Sequence, residues 1–317
     1  MSEFSLIKNY FAKLSPLRQD VLLGAGDDCA LLRSPINQLL AVTTDTLVAG
    51  VHFFADMPPY ELGYKALAVN LSDLAAMGAE PAWVSLAITL PTIDESWLAQ
   101  FCAGFAELLK IHQLQLIGGD TTHGPLSITI TAHGFIPENQ ALKRDAARPG
   151  DKIYVTGTLG DAGAGLKILK NELQLAETYA TDLIDRLYKP MPRIREGFAL
   201  RGIAHAAIDI SDGLAADLQH ILALSQVGAT LYVDCLPLSP ALNQAVDKKQ
   251  AWQLALTAGD DYELCFTVPQ AKEAKLQQLE ITYTCIGVIE PSPGLRLQLT
   301  TGKTYDLAQQ PGYQHFG

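Results

Sequence analysis

Leu126-Ser-Ile-Thr-Ile-Thr-Ala-His-Gly-Phe-Ile136 alternates side-chain character from one residue to the next, the period of two that sends one face of a strand into a core. Upstream, Gly118-Gly119-Asp120-Thr121-Thr122 reads as a sharp turn after a short strand at 114–117. A helix is predicted over 95–112. Another covers 60–77, where Leu62, Ala66, Val69, Asp73 and Met77 fall on one stripe. Gly78 is placed to cap it and Pro81 to stop it. Residues 39–48 are β-rich with a polar section, Thr43-Thr44-Asp45-Thr46. Downstream, Arg148-Pro149-Gly150-Asp151 breaks the pattern, and a strand at 152–156 starts a second half. That half holds a Gly-rich turn at 157–165, strands at 206–210 and 262–268, and a helix at 213–225. Stretches near 171–200 and 236–256 are helical in character and carry no recognisable chemistry. Strands and helices interleave without regular β-α-β spacing. The expectation is an α+β chain of two domains, 1–147 and 148–317.

Composition narrows the function. The 317 residues are 48% hydrophobic and 18% charged, with 23 Lys plus Arg against 34 Asp plus Glu, a net charge of −11. Such a chain can bury a core, and its sign disfavours nucleic acid, which is bound by displacing counterions with cations. The start, Met1-Ser2-Glu3-Phe4, has no basic or apolar leader. The best apolar run, Leu62 to Ala79, contains Lys65 and Asp73, so no span of ~18 uncharged residues exists. Cys29, Cys102, Cys235, Cys265 and Cys285 form no C-x-x-C pair and read as reduced core thiols of a cytoplasmic protein.

The informative feature is where the aspartates lie. Ten of them (Asp27, Asp28, Asp45, Asp73, Asp120, Asp161, Asp209, Asp212, Asp260 and Asp261) sit at predicted turns or element ends, all but Asp209 beside Gly, Ser, Thr or another Asp. One such Asp is commonly a cap or turn residue; ten in separate segments point to a shared task. Asn70 and Asp73, three apart, share a helix face. None of the seven histidines has zinc-ligand spacing and no calcium loop is present. Dispersed carboxylates and hydroxyls fit Mg²⁺ shared with substrate phosphates. Familiar nucleotide signatures are missing: there is no G-x-x-x-x-G-K-[ST], no G-x-G-x-x-G, and no kinase H-R-D or D-F-G. Gly157 to Gly165 reads as a strand-to-helix turn with close packing. Arg144, in Leu-Lys-Arg-Asp, is a candidate phosphate clamp.

The motifs Gly-Ala-Gly-Asp27-Asp28-Cys-Ala, Thr43-Thr44-Asp45-Thr-Leu-Val-Ala-Gly-Val-His52-Phe, Ala-Val-Asn70-Leu-Ser-Asp73, Gly-Gly119-Asp120-Thr-Thr, Ile-Asp209-Ile-Ser211-Asp212-Gly-Leu and Asp260-Asp261-Tyr-Glu-Leu-Cys resemble those of bacterial thiamine-monophosphate kinases, in the aminoimidazole-ribonucleotide synthetase superfamily. The resemblance runs in order through nearly the whole chain. It implies an N-terminal domain whose mixed sheet pairs across a homodimer into a barrel, and a C-terminal α/β sandwich. It implies ATP-dependent phosphorylation of thiamine monophosphate to thiamine diphosphate with several Mg²⁺ ions. By the family's pattern Asp28, Thr43, Thr44, Asp45, Asp73, Asp120, Asp209 and Asp212 would hold metal, with Asp45, Asp73, Asp120 and Asp212 at the chemistry. Gly119, Asp120, Arg144 and Ser211 would meet ATP, and His52, Asp260 and Tyr313 would meet thiamine monophosphate. Two positions depart: the family often has Glu at Asp260 and Trp at Tyr313. Without the resemblance His52 reads as a structural histidine. Other readings are a sister enzyme acting on an amide, a formyl ribotide or selenide, and a magnesium-nucleotide-binding regulator without turnover.

Overall fold

The computed structural model describes Tyr10, Phe11 and residues 14–307. The chain divides into two compact units, Met1–Leu74 with Ala79–Asn139, and Ala75–Gly78 with Gln140–Gly317. Each has its own mixed sheet, so the α+β expectation holds. Among the described residues no helix is long and apolar enough to cross a membrane.

In the first unit a two-stranded ribbon, β1 (Val21–Leu23) with β2 (Leu31–Leu32), accompanies a four-stranded sheet. The sheet is built from β3 (Gln38–Val48), β4 (Glu80–Leu90), β5 (Gln115–His123) and β6 (Ser127–Pro137) in the order β3-β6-β4-β5. β6 runs antiparallel to both β3 and β4, and β4 is parallel to β5. The alternation that marks Leu126–Ile136 works as expected: Ile128, Ile130 and Ala132 are buried. Two helices, α1 (Pro59–Ala76) and α2 (Glu95–Ile111), supply the rest of the core. They touch backbone to backbone: a Cβ at Gly63 would lie 2.1 Å from the Phe101 carbonyl oxygen, and one at Gly104 would lie 1.8 Å from that of Tyr60. α1 is buried on nearly every side, Lys65, Asn70 and Ser72 included. Polar groups on so buried a helix need partners or a task.

The Gly118–Thr122 stretch is not a turn. It lies inside β5, where Gly119 pairs with Leu86 of β4. A Cβ there would sit 1.8 Å from the Leu86 carbonyl oxygen, and φ is +152°. Glycine is needed for close approach, not for reversal.

In the second unit the strands are β7 (Lys152–Thr156), β8 (Ala206–Asp209), β9 (Gly228–Tyr232), β10 (Leu264–Val268), β11 (Tyr283–Glu290) and β12 (Gly294–Gln298). They form one sheet, β12-β9-β11-β7-β10-β8, with only the β9–β12 pair parallel. Both faces are covered, and alternate residues serve separate cores. Ile153, Val155, Ile208 and Cys265 join Leu218 and Ile221 of α6 (Leu214–Ser225), whereas Tyr154, Ala207 and Phe266 join Leu200 and Leu276. A third cluster links α3 (Asp161–Leu169), α4 (Glu177–Tyr188), α7 (Pro240–Ala245) and α8 (Lys248–Thr257) through Ala164, Leu183, Leu242 and Leu254. Short helices α5 (Ile194–Ala199) and α9 (Glu273–Leu276) complete the unit.

All five cysteines are free. The expectation that they are core thiols holds for Cys102 and Cys265. It fails for Cys29 and Cys285, which are exposed, and Cys235 lies between the two classes.

Candidate active site

Within the first unit, β3 and α1 bring chemistry together. Side chains alternate along β3, so Thr43, Asp45 and Leu47 share one face, while Val42, Thr44 and Thr46 lie exposed on the other. Thr43 Oγ1 donates a short hydrogen bond to Asp73 Oδ2. The Asp45 backbone N–H donates to Asn70 Oδ1 at 3.1 Å, and Asn70 Nδ2 donates to the Ala66 carbonyl at 3.0 Å. The i, i+3 spacing of Asn70 and Asp73 therefore does aim both at β3. Thr44 is expected among the ligands, but its hydroxyl meets Thr131 on the opposite, exposed face at 2.9 Å. Its side chain lies on the face opposite those of Thr43 and Asp45.

Burial, reinforced by the Asp73 charge, pushes the Asp45 carboxyl up to about 6. Two interacting carboxylates in a part-desolvated place are neutralised either by a proton or by a cation. Among the described residues no three His, Cys, Asp or Glu side chains gather to hold a metal. The donor set that β3 and α1 bring together is two carboxylates and a hydroxyl. Hard cations that keep several waters and take further oxygens from phosphates fit that set.

Ionised Asp45 makes the folded state costly. Its folded value lies above the ordinary 3.8, so the stability it favours is present below that value and lost as pH rises through about 6. Asp45→Asn is expected to raise metal-free stability at pH 7–8 by about 3 kcal/mol at most and to flatten the decline between pH 4 and 7. Urea unfolding at several pH values checks this.

The remaining first-unit residues are placed as follows. Asp27 and Asp28 are exposed, the Asp28 N–H donating to Asp27 Oδ1 at 2.9 Å. Gly119 and Asp120 lie at an exposed part of β5. His52 Nδ1 accepts the Val48 N–H, and its own N–H donates to the Val48 carbonyl, both at 3.0 Å. It closes the turn after β3, which agrees with the structural reading.

Within the second unit, β8 ends at the buried Asp209, and Ser211, Asp212 and Gly213 lead into α6. Asp217, which sequence reasoning missed, reaches back from α6. Its Oδ2 accepts the N–H groups of Ser211 (3.0 Å), Asp212 (3.0 Å) and Gly213 (3.1 Å). Burial pushes its carboxyl up to about 7, against the downward pull of those three donors, and the Asp212 charge adds to the rise.

Segment 259–263 lies against the same loop. The Asp260 N–H donates to the Ser211 carbonyl at 2.9 Å, and the Tyr262 N–H to that of Ile210 at 2.8 Å. Asp260 and Tyr262 are both left-handed, with φ of 66° and 49°, unusual for a bulky side chain such as Tyr and common at functional sites. Tyr262 OH donates to Asp260 Oδ1 at 3.2 Å. Asp261 Oδ2 accepts the Gly160 N–H at 2.8 Å, whereas its buried Oδ1 has no hydrogen-bond partner among the described residues. Burial pushes this carboxyl well above the usual range.

Glu263, also missed, is a buried hub. It accepts from Thr156 Oγ1 at 2.6 Å, from Arg186 Nη2 at 2.7 Å, and from Arg193 through two guanidinium nitrogens. Asp161, expected in a turn, is the first residue of α3 and accepts from Thr158 and Ser239. Arg144 is exposed, its carbonyl accepting from Ser225 Oγ at 2.8 Å. Tyr313 lies outside the described residues.

Two family profiles match the chain: the AIR synthase related protein N-terminal domain over residues 26–136 and the corresponding C-terminal domain over 148–300. Together they define the class, a two-domain AIR synthase related protein. The thiamine-monophosphate kinase of Escherichia coli (strain K12) is 52% identical over 319 residues, covering 99% of this chain and 98% of that protein. The crystal structure of thiamine-monophosphate kinase from Stenotrophomonas maltophilia K279a superposes with a TM-score of 0.87 at 45% identity, over 96% of this chain and 98% of that one. AaThiL complexed with AMPPCP and TMP superposes with a TM-score of 0.80 at 32% identity, over 89% of each chain. The chain belongs to the thiamine-monophosphate kinase family.

Proposed function

We propose that this chain transfers the γ-phosphoryl group of ATP to thiamine monophosphate, forming thiamine diphosphate and ADP. The observation that carries the reading is the 52% identity to a thiamine-monophosphate kinase along 99% of the chain. The relative complexed with AMPPCP and TMP supports it, since those ligands are an ATP analogue and thiamine monophosphate.

The finer reading assigns roles to both units. In the first, Asp28, Thr43, Asp45, Asp73 and Asp120 hold magnesium, and the Gly119 backbone meets ATP. In the second, Asp209 and Asp212 hold magnesium, Ser211 and Arg144 meet ATP, and Asp260 meets the amino group or the positive ring of thiamine. Tyr313 stacks on that ring. Magnesium bound there supplies positive charge between the phosphates and offsets the repulsion of two anions brought end to end.

The acceptor is a phosphate monoester whose second pKa of about 6 leaves an ionised oxygen at neutral pH. No general base is needed, which accounts for a site built from aspartates rather than a Ser-His or Cys-His pair. That oxygen attacks the γ-phosphorus in line, the bond to the β–γ bridging oxygen breaks, and ADP departs. The protein's work is alignment and charge compensation. The reading includes a cytoplasmic homodimer. Leu40 and Val42 are exposed on one face of the edge strand β3, a surface that a partner's sheet would cover.

The test is incubation with ATP, Mg²⁺ and thiamine monophosphate, with separation of the thiamine phosphates by chromatography. Thiamine diphosphate and ADP are expected in equal amounts. ADP formed only with an amide, a formyl ribotide or selenide would favour a sister enzyme. Nucleotide binding without turnover would favour a regulator.

A further inference from the structure

The Ser211–Asp212 loop is held by a carboxylate to which the proposed reaction gives no role. Asp217 is 3% exposed and lies within the first turn and a half of α6. It places one oxygen on three consecutive backbone N–H groups, those of Ser211, Asp212 and Gly213, at 3.0, 3.0 and 3.1 Å. Three donors converging on one acceptor fix three successive peptide planes. The Cα–Cβ directions of Ser211 and Asp212 are then fixed as well. A second tie holds the opposite edge of the loop, where the Ser211 carbonyl accepts the Asp260 N–H at 2.9 Å. Gly213, with φ of +119°, fits where a Cβ would come within 2.9 Å of the Thr257 carbonyl.

This arrangement inverts the usual use of a strand–loop–helix junction. Free N–H groups at a helix N-terminus attract phosphate. Here the protein's own carboxylate occupies the three that precede α6, and adds negative charge beside Asp212. A phosphate arriving at this loop finds no free backbone donors among those three, so it must be held by side chains and by a cation that they bind.

We infer that Asp217 is a positioning residue for the nucleotide: it sets the Ser211–Asp212 loop so that those side chains meet the metal-bound phosphates, and it takes up the three backbone N–H groups that precede α6. The inference rests on the reading of Ser211 and Asp212 as nucleotide and metal contacts. It predicts a split that general destabilisation does not produce. Asp217→Ala is expected to raise the KM for Mg·ATP about tenfold and to lower kcat about 100-fold, the upper range for loss of a supporting partner. The KM for thiamine monophosphate should change less than twofold. Asp217→Asn, whose amide oxygen still accepts, should recover at least tenfold of the lost rate. Amide hydrogen exchange at residues 211–213 should quicken in the Ala variant alone.

Asp212→Asn, assayed alongside, separates the two levels. If Asp212→Asn is inactive while Asp217→Ala turns over normally, the positioning role is wrong and the site reading stands. If Asp212→Asn is fully active, the site reading fails and the inference fails with it. If both KM values rise together in Asp217→Ala and Asp217→Asn, Asp217 is merely structural and the inference is overturned.

Discussion

Asp73→Asn is expected to fold, to unfold at higher urea than the parent at pH 7–8 in the absence of divalent cation, and to lose on the order of 10³-fold in kcat. Both effects have one source. Asp73 lies in the buried helix α1 and accepts from Thr43, with its charge felt by Asp45 on the neighbouring strand. Two negative charges in that place oppose folding until a cation neutralises them, and the same pair is what makes the cation bind. The amide keeps the shape and can still accept the Thr43 hydrogen bond, so packing changes little. It removes half of the charge that would hold the metal. Gain of stability with loss of turnover is the signature of a group kept for function. Steady-state kinetics and urea unfolding on the same preparation measure both. Loss of stability together with loss of rate would mean that Asp73 serves the fold.

Glu263→Ala is expected to cost about 3 kcal/mol of stability, because it opens a cavity and removes the nearest counter-charge of two guanidinium groups, leaving Arg186 with Asp161 at 3.9 Å and Arg193 with Glu196 at 3.8 Å. Glu263 is 1% exposed, and its partners Arg186 and Arg193 are 27% and 15% exposed. The hub does more than neutralise. Thr156 Oγ1, which donates to Glu263, also accepts the Leu264 N–H at 2.8 Å, and the Glu263 carbonyl accepts the Ile210 N–H at 2.8 Å. Removing the carboxylate therefore loosens the ends of β7 and β10 and the loop that follows Asp209. Glu263→Gln keeps the volume and should cost less, while remaining clearly destabilised in urea. Parent-like unfolding of both variants would show that these arginines have other means of neutralisation.

Periodicity carried much of the fold. The helices 60–77 and 95–112 and the strands 126–136 and 152–156 fall within a residue or two of α1, α2, β6 and β7, because each element has one pattern and a clear stop. Glycine misled where its reason is non-local. Gly119 has the local grammar of a turn, yet it is required by the Leu86 carbonyl on a strand about thirty residues earlier in the chain. In the 157–165 stretch, Gly163 and Gly165 lie inside α3, because a Cβ would press on Ala258 and on the Leu183 carbonyl. β1, β2, β4, β9, β11 and β12 went unread: β1, β2 and β12 are short, and β4, β9 and β11 lack a clean alternation.

The same division applies to the site. The clustering of Asp beside Gly and Thr marked the segments, and the i, i+3 spacing of Asn70 and Asp73 marked a helix face. The strand period already sends Thr43 and Thr44 to opposite faces; sequence could not say which of those faces meets α1. Asp217 and Glu263 were invisible for a similar reason: their partners are backbone groups and arginines gathered only by folding. A faint signal for Asp217 existed, a carboxylate four residues after the glycine of Ser211-Asp212-Gly213.

The central claim is that Asp45 and Asp73 hold a divalent cation for the phosphates. Titration with Mn²⁺ followed by electron paramagnetic resonance, with a non-hydrolysable ATP analogue and thiamine monophosphate present, addresses it directly. The parent protein should bind Mn²⁺ at least tenfold more tightly than Asp45→Asn or Asp73→Asn, with the difference shrinking as pH falls below about 6. Equal Mn²⁺ binding by all three proteins would contradict it.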